Sequence, residues 1–390
     1  MRLAIVASHP VQYHAPLFRE LAKRLDLEVL FACRPSAADQ GAGFDVPFLW
    51  DSDLASGYRH AFLTNVAARP NPSRFSGCDT PGVARRLKEG GFDGVLVMGW
   101  HLKSFWQTVV GCRVAGIPVM VRGDSQLGTP RGRGLLAAKA LLYPLGLRAF
   151  SAALYVGQRS REYFEAYGYP ASRLFFSPHA VDNCWFADRA TPAAGRGLRT
   201  RLGASQNERL LLFAGKLIDF KRPLDVVAAA ERLRVEGRNV SVLVAGSGPL
   251  QEALRAAATT SGVPLRFAGF LNQSEMPAAY AAADLLVLPS TGRETWGLVA
   301  NEALACGLPI LVSDAVGCTP DLAADRAVGG VFPVGDVEAL ARVAGELLDN
   351  PPPACSIAAR AQTYSVSAGA DGVVAALSAV SAGKDAPSWT

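Results

Sequence analysis

Short apolar runs alternate with longer amphipathic segments along most of this 390-residue chain, and this alternation restricts the fold more than any other feature. A first series of predicted strands begins at residues 3–7 and ends at residues 174–176. A second series begins at residues 210–214 and ends at residues 330–332. Strands that alternate with helices are typical of βαβ units, whose strands form a parallel sheet. The sequence therefore predicts an α/β fold with two doubly wound domains.

The domain boundaries follow from the segment that separates the two series. Residues 187–206 are rich in Ala, Gly, Arg and Thr and show no hydrophobic period, which is typical of a linker. We therefore predict an N-terminal domain over residues 1–186 and a C-terminal domain over residues 207–360. Residues 361–390 are predicted to form a helix that returns towards the N-terminal domain, followed by a frayed tail. Two such domains leave a cleft between the carboxyl ends of their sheets, where open α/β folds bind ligands.

Composition and charge exclude several classes of protein. Half of the residues are hydrophobic and 19% are charged, which excludes a disordered chain. The net charge is +5, divided into +7 over residues 1–185 and −2 over residues 186–390. A basic N-terminal half favours an anionic ligand or a membrane surface, and a solvated arginine-rich face is the alternative. The chain has no Lys/Arg-rich run of the kind that binds nucleic acid, so we expect no nucleic-acid partner.

The cysteines and the N-terminus predict a cytoplasmic location. Seven cysteines without a Cys-x-x-Cys pair argue against a disulfide framework and against a structural zinc site. The apolar run at the start is too short for a signal peptide. Lys139 and Arg148 interrupt the most apolar window, residues 134–157, so it offers no clean spanning helix. The window is compatible with a helix on a membrane surface, with Arg131 and Arg133 just ahead of it.

The most informative stretch covers residues 290–309. Glu294 is predicted in a loop after a strand, and a helix is predicted to open near Trp296, with Glu302 about two turns into it. Backbone N–H groups at a helix start bind anions, and carboxylates accept hydrogen bonds from sugar hydroxyls. The N–H groups expected to be free are those of Trp296, Gly297, Leu298 and Val299. An ordinary strand–helix turn with solvated glutamates is the alternative.

A glycine turn and two lysines follow the predicted strand 210–214. Gly215 allows the turn, and Lys216 and Lys221 flank the loop before a helix that begins at Pro223. Two flexible ammonium groups beside a helix N-terminus suit a diphosphate, and a solvated basic loop is the alternative. The later turn at residues 246–249 could approach a nucleotide, although a tight turn alone would explain its glycines.

These segments together resemble family 4 glycosyltransferases, which have the GT-B fold of two Rossmann-like domains facing a cleft. Glu294 to Glu302 resembles the family's E-x7-E motif, and Gly215-Lys216 with Lys221 resembles its phosphate-binding loop. Residues 244–250 resemble its G-x-GP-L turn. The resemblance extends over about residues 210–340 with the motifs in the family's order, whereas residues 1–185 match only in outline.

The resemblance implies transfer of a sugar from a nucleotide-diphosphate sugar to an acceptor hydroxyl, with retention of anomeric configuration, in polysaccharide or glycolipid synthesis. It implies Lys216 and Lys221 on the diphosphate, Glu302 on the ribose and Glu294 on the donor sugar, where Glu294 and Lys221 act in catalysis. It further implies that neither a metal ion nor a cofactor other than the donor takes part. Lysines and backbone N–H groups would stabilise the departing diphosphate.

The resemblance assigns the acceptor to the N-terminal half. The family's Gly-rich loop is absent after the first strand, which suggests that His9, Gln12 and Tyr13 bind the acceptor. His101 resembles the family's catalytic histidine near the reacting sugar carbon, and Asp124 ends a further strand at the cleft. Satisfied structural side chains are the alternative at each of these positions.

Other functions remain as alternatives. A relative that binds a nucleotide sugar without transferring it would keep the same motifs, and release of free nucleotide would distinguish the two. A glycosidase needs carboxylates on both sides of the scissile bond, whereas Glu294 and Glu302 come from one segment. Residues 51–53 read Asp-Ser-Asp, but a metal site needs more oxygen ligands than this pair provides. The acceptor is predicted to be a sugar or a lipid-linked sugar, with peripheral contact at the inner membrane leaflet.

Overall fold

The computed structural model describes residues 1–34, 36–41 and 43–382, without the side chain of Leu135. The strands of the N-terminal part are β1 (Arg2–Ala7), β2 (Asp26–Phe31), β3 (Arg59–Phe62), β4 (Gly94–Val97), β5 (Val119–Gly123), β6 (Ala152–Tyr155) and β7 (Leu174–Phe176). Its helices are α1 (Ala15–Arg24), α2 (Ala37–Gly41), α3 (Val83–Gly90), α4 (Lys103–Ala115), α5 (Arg133–Leu147), α6 (Gln158–Ala166) and α7 (Asn183–Arg189).

The C-terminal part begins with α8 (Pro192–Arg201). Its strands are β8 (Arg209–Ala214), β9 (Val240–Ala245), β10 (Leu265–Gly269), β11 (Leu285–Leu288), β12 (Ile310–Ser313) and β13 (Gly329–Phe332). Its remaining helices are α9 (Pro223–Val235), α10 (Gln251–Ser261), α11 (Met276–Ala282), α12 (Val299–Ala305), α13 (Val337–Asp349), α14 (Ala354–Thr363) and α15 (Val366–Ala382).

Two parallel sheets form the framework, as the alternation in the sequence predicts. The strand order is β3-β2-β1-β4-β5-β6-β7 in one sheet and β10-β9-β8-β11-β12-β13 in the other. The central strands are continuous apolar runs because helices cover both faces, and every residue of β9 is buried. The predicted α/β fold with two doubly wound sheets is confirmed.

The strand order also determines where a ligand can bind. In each sheet the direction in which successive strands are added reverses between two neighbouring strands. These neighbours are β1 and β4 in one sheet, and β8 and β11 in the other. Open α/β sheets bind ligands at the carboxyl ends of the strands beside such a reversal. The loops in this position are residues 8–14 and 98–102 in one sheet, and 215–222 and 289–298 in the other.

The segment 187–206, predicted as a linker, is a packed part of the C-terminal domain. Helix α8 lies within it and packs against α11. The Thr191 side chain caps α8, and the buried Arg199 donates hydrogen bonds to the Ala282 carbonyl and to Asp284, both at 2.7 Å. Composition concealed this helix because its buried residues, Gly195, Leu198 and Arg199, form no regular apolar stripe.

The C-terminal helix α15 packs against α1 and against strands β6 and β7 of the N-terminal sheet. Asp371 of α15 forms an ion pair with Arg24 of α1 at 2.5 Å. The helix includes Ser381 and Ala382, while residues 383–390 of the predicted tail lie outside the described residues. Within the described part of the chain, no helix combines the length and the apolar character needed to cross a bilayer.

Candidate active site

Two loops of the C-terminal domain meet through an ion pair. Lys221 follows β8 and Glu294 follows the neighbouring strand β11, so both loops leave the same edge of the sheet. The Lys221 ammonium group contacts the Glu294 carboxylate, and the Ser290 hydroxyl donates to the same oxygen at 3.2 Å. The two charged side chains are 14% and 15% exposed. The lysine loop and the Glu294 loop therefore meet at one edge of the C-terminal sheet.

The backbone beside Lys221 is held in an unusual conformation. Arg222 has a φ of 51°, in the left-handed region that residues other than glycine rarely adopt. The following Pro223 disfavours the right-handed helical conformation at Arg222, and an ion pair with Asp225 at 2.6 Å fixes the side chain. Strain of this kind concentrates at functional sites, and here it sets the direction of the lysine loop.

The glycines around Lys216 allow two loops to pack backbone against backbone. A Cβ atom on Gly246 would lie 1.9 Å from the carbonyl oxygen of Gly215, and one on Gly248 would lie 2.9 Å from the Leu217 backbone. Both glycines also have positive φ values, of 152° and 147°. Close packing of the loops after β8 and β9 therefore requires these glycines. Burial, together with the neighbouring Lys221, lowers the pKa of Lys216.

The turn before α12 presents unused hydrogen-bond donors. The helix begins at Val299, three residues later than the predicted opening near Trp296, because residues 295–298 form an irregular turn. Among the described hydrogen bonds, none is donated by the backbone N–H groups of Trp296, Gly297, Leu298 or Val299. The Trp296 side chain is buried, and its indole donates to Asn301 at 2.8 Å. This turn can therefore bind an anion through its backbone.

Glu302 lies deeper, on α12, where it is 3% exposed. The Tyr280 hydroxyl donates to its carboxylate, and Tyr13 of the N-terminal domain interacts with the same group. Burial raises the pKa of Glu302 to about 7, although both tyrosines oppose this shift. Burial and the carboxylate of Glu302 likewise raise the pKa of Tyr13. The structure thus brings Tyr13, predicted on the acceptor side, to the carboxylate predicted for the ribose.

A cavity of about 200 Å³ opens at the carboxyl ends of the N-terminal strands, and His101, Asp124 and His179 are among the residues that line it. Asp124 accepts a hydrogen bond from Thr295 at 2.8 Å, which places the cavity beside the Glu294 loop. His179 Nε2 lies 3.8 Å from the same carboxylate. Burial alone would raise the pKa of Asp124, but the nearby His179 and the hydrogen bond from Thr295 hold it well below its ordinary value.

Arg122 faces this cavity but is tied to the backbone. Its guanidinium donates to the carbonyls of Ser177 and Pro178 at 3.1 and 2.8 Å. Burial lowers the pKa of Arg122 to about 10. The arginine therefore shapes the turn that positions His179, a residue that the sequence analysis did not select.

The loop after β1 contains buried polar atoms that lack partners. Within the described residues, Gln12 Oε1 and His14 Nδ1 make no hydrogen bond, and His14 also lines the cavity. Burial and the neighbouring His101 lower the pKa of His9. His101 Nε2 lies 3.2 Å from the Pro72 carbonyl. Buried polar groups are usually paired, so the unpaired atoms of Gln12 and His14 indicate a surface that a polar ligand would complete.

Two residues that the sequence did not reveal hold the Glu294 loop. Gln126 donates from Nε2 to the carbonyls of Gly292 and Glu294 at 3.0 and 2.9 Å. Arg159 donates to Gln126 Oε1 at 2.9 Å and to the Ala315 carbonyl at 2.8 Å. Both come from the N-terminal domain, so the two domains together fix the position of this loop.

Residues 43–52, which we name the strap, extend from the N-terminal domain onto the C-terminal loops. The rings of Phe44 and Phe48 pack on Phe270, with centroids 5.1 and 4.3 Å apart. The Ser247 hydroxyl donates to the Phe44 carbonyl at 2.6 Å, and the Lys216 ammonium lies 5.2 Å from the Phe44 ring. The strap therefore covers the loops after β9 and β10 next to the lysine loop.

The Asp-Ser-Asp sequence at residues 51–53 serves local structure. Asp51 accepts a hydrogen bond from the Ser274 backbone at 3.3 Å, at the far end of the strap. Asp53 accepts from the backbone N–H groups of Ala55 and Ser56, both at 3.0 Å. These contacts account for both carboxylates.

Comparison with known proteins adds independent information. Residues 197–364 match the family model described as "Glycosyl transferases group 1". The D-inositol 3-phosphate glycosyltransferase of Streptomyces scabiei (strain 87.22) is 35% identical over 206 residues, which is 50% of this chain and 46% of that protein. The 2-deoxystreptamine glucosyltransferase of Streptomyces kanamyceticus is 35% identical over 188 residues, 45% of each chain. The chain thus spans about half the length of these curated relatives.

Solved structures resemble the whole chain. Anabaena Alr3699/HepE in complex with UDP has a TM-score of 0.73 and 18% identity, with 97% of this chain and 100% of that chain covered. WaaG, a glycosyltransferase of lipopolysaccharide biosynthesis, has a TM-score of 0.57 and 17% identity, with 99% and 100% covered. At such identities the likeness concerns the fold, and it identifies the two-domain architecture as GT-B.

Proposed function

We propose that this chain, whose residues 197–364 match the model of the group 1 glycosyltransferases, transfers a sugar from a nucleotide-diphosphate sugar to an acceptor hydroxyl. The observation that supports this function best is the contact of Lys221 with Glu294 beside the unused N–H groups of residues 296–299. A cation and free backbone donors suit a diphosphate, and a carboxylate next to them suits sugar hydroxyls.

The donor would rearrange the ion pair when it binds. In the structure Lys221 is neutralised by Glu294, and Lys216 is close enough to Lys221 for its pKa to be lowered. A diphosphate would offer both lysines a stronger partner and would release Glu294 to accept hydrogen bonds from the donor sugar. The ribose hydroxyls would then donate hydrogen bonds to the Glu302 carboxylate. The lysines and the backbone donors would stabilise the charge of the departing nucleotide without a metal ion.

The acceptor would enter from the N-terminal cavity. A volume of about 200 Å³ holds roughly seven waters, the scale of one sugar ring. His9, Gln12 and Asp124 would bind acceptor hydroxyls, and His101 would lie near the reacting sugar carbon. Retention of configuration is proposed from the motif resemblance. The curated relatives include enzymes named for inositol phosphate and phosphatidylinositol mannoside acceptors, which supports a polyol or lipid-linked sugar as acceptor.

The proposal is tested with purified protein and a panel of UDP and GDP sugars. A specific donor should raise the unfolding temperature, because binding at a hundred times its Kd adds about 2.7 kcal/mol to folding stability. Lys221→Ala and Glu294→Gln should each lower kcat by about a hundredfold or more, since each removes a group that stabilises charge. The exposed Lys88→Ala and Glu252→Gln are matched controls.

The outcomes separate transfer from mere binding. Wild-type turnover in both Lys221→Ala and Glu294→Gln would contradict the assignment. A donor-dependent stabilisation without release of nucleotide would instead identify a nucleotide-sugar binding protein.

A further inference from the structure

Helix α5 has its polar and apolar sides reversed relative to a helix of a water-soluble domain. Lys139 faces inwards, where its ammonium donates to the Tyr163 hydroxyl at 2.7 Å and lies 4.4 Å from the Tyr143 ring. Leu141 and Leu145 are 73% and 64% exposed. At 100° per residue, Leu145 lies about 160° around the helix from Tyr143. The side that faces away from the protein is therefore the apolar one.

The exposed apolar side chains continue onto helix α4. We name the α4–α5 face the surface formed by the exposed side chains Val110, Val114, Leu141, Leu142 and Leu145. The Arg113 guanidinium of α4 donates to the Arg148 and Ala149 carbonyls, at 2.9 and 3.3 Å, so the end of α5 lies against α4. Exposed apolar side chains gathered on two neighbouring helices usually mark an interaction site.

Exposed or half-exposed arginines stand at both ends of α5. Arg131 and Arg133 precede α5, and Arg148 follows it, so cations stand at both ends of the exposed leucines. An apolar helix flanked by cations is the pattern that lies in the interface of an anionic bilayer.

We propose that the α4–α5 face docks this protein onto a membrane surface with anionic headgroups, with α5 lying along the bilayer plane. The leucines would enter the boundary between headgroups and acyl chains, while the arginines at both ends of α5 would contact lipid phosphates. The cavity at the carboxyl end of the N-terminal sheet lies in the same domain. This inference does not depend on the proposed transfer reaction.

The experiment is flotation of the full chain with vesicles of phosphatidylcholine and phosphatidylglycerol in equal parts, compared with pure phosphatidylcholine. The wild type should float with the anionic vesicles at low salt and lose binding as salt screens the arginines. The pair Leu141→Asp with Leu145→Asp, and the pair Arg131→Glu with Arg133→Glu, should each lower the vesicle affinity by at least about tenfold. These side chains are exposed or half-exposed, so unfolding temperatures should be unchanged.

Two control variants carry a single substitution of each kind elsewhere. Val235→Asp, at an 84% exposed valine of the C-terminal domain, and the exposed Arg201→Glu should float like the wild type. The proposal would be overturned if the wild type did not float, or if it floated equally with pure phosphatidylcholine. It would also be overturned if only one of the two paired variants lost vesicle binding. A dimer of the wild type in size-exclusion chromatography would also overturn the proposal if Leu141→Asp with Leu145→Asp converted it to a monomer. The occupant of the α4–α5 face would then be a second copy of the chain.

Discussion

The buried carboxyl group of Glu302 should make the stability of this protein depend on pH. Its pKa rises from an ordinary value of 4.5 to about 7 because the folded chain removes it from water. The folded state therefore keeps a proton that the unfolded state loses as pH rises through 4.5. The stability that Glu302 contributes is complete below 4.5 and disappears as pH rises through about 7. The difference between the pKa values of Glu302 in the folded and unfolded states corresponds to about 3 kcal/mol in the free energy of unfolding.

Glu302→Gln isolates this effect because the amide cannot ionise and its oxygen still accepts a hydrogen bond from Tyr280. We expect the variant to gain about 3 kcal/mol relative to the wild type between pH 4.5 and pH 8. Urea unfolding followed by tryptophan fluorescence at several pH values measures the difference. Glu252→Gln, at a glutamate 84% exposed on its side chain, is the control and should follow the wild type. Parallel pH profiles for the wild type and Glu302→Gln would refute the reasoning.

Two further predictions concern backbone packing and charge. Gly246→Ala should destabilise the fold by at least about 2 kcal/mol, because its Cβ would lie 1.9 Å from the Gly215 oxygen. Gly82→Ala, where a Cβ meets nothing within 4 Å, should change the thermal unfolding temperature little. If Lys216 and Lys221 balance the charge of the diphosphate, EDTA should leave the transfer rate unchanged. A rate that EDTA abolishes and Mg²⁺ restores would show that the lysines do not suffice.

The parts of the fold set by local pattern could be predicted from the sequence. The two parallel sheets follow from apolar runs that alternate with amphipathic segments, and the motifs of residues 210–340 identified the family. The model match of residues 197–364 and the GT-B neighbours confirm that resemblance. The meeting of Lys221 with Glu294 was predictable as well, since loops after neighbouring parallel strands leave one edge of a sheet.

The rest depends on contacts between segments that are distant in the chain. Gln126 and Arg159 hold the Glu294 loop from the other domain, and nothing in their local sequence distinguishes them from exposed polar residues. Tyr13 reaches Glu302 only because the two domains pack together. The helix α8 was taken for a linker because propensity and composition say little about a short helix whose buried side faces α11.

The strap joins the two domains through aromatic rings. The rings of Phe44 and Phe48 rest on Phe270, so the domains can part at this end only if those rings come apart and a patch of aromatic surface meets water. Separation and closure of the two domains would then occur in a single cooperative step rather than through a gradual hinge motion. The protein would also remain closed over its lysine loop until the binding of a ligand offset the loss of this stacking.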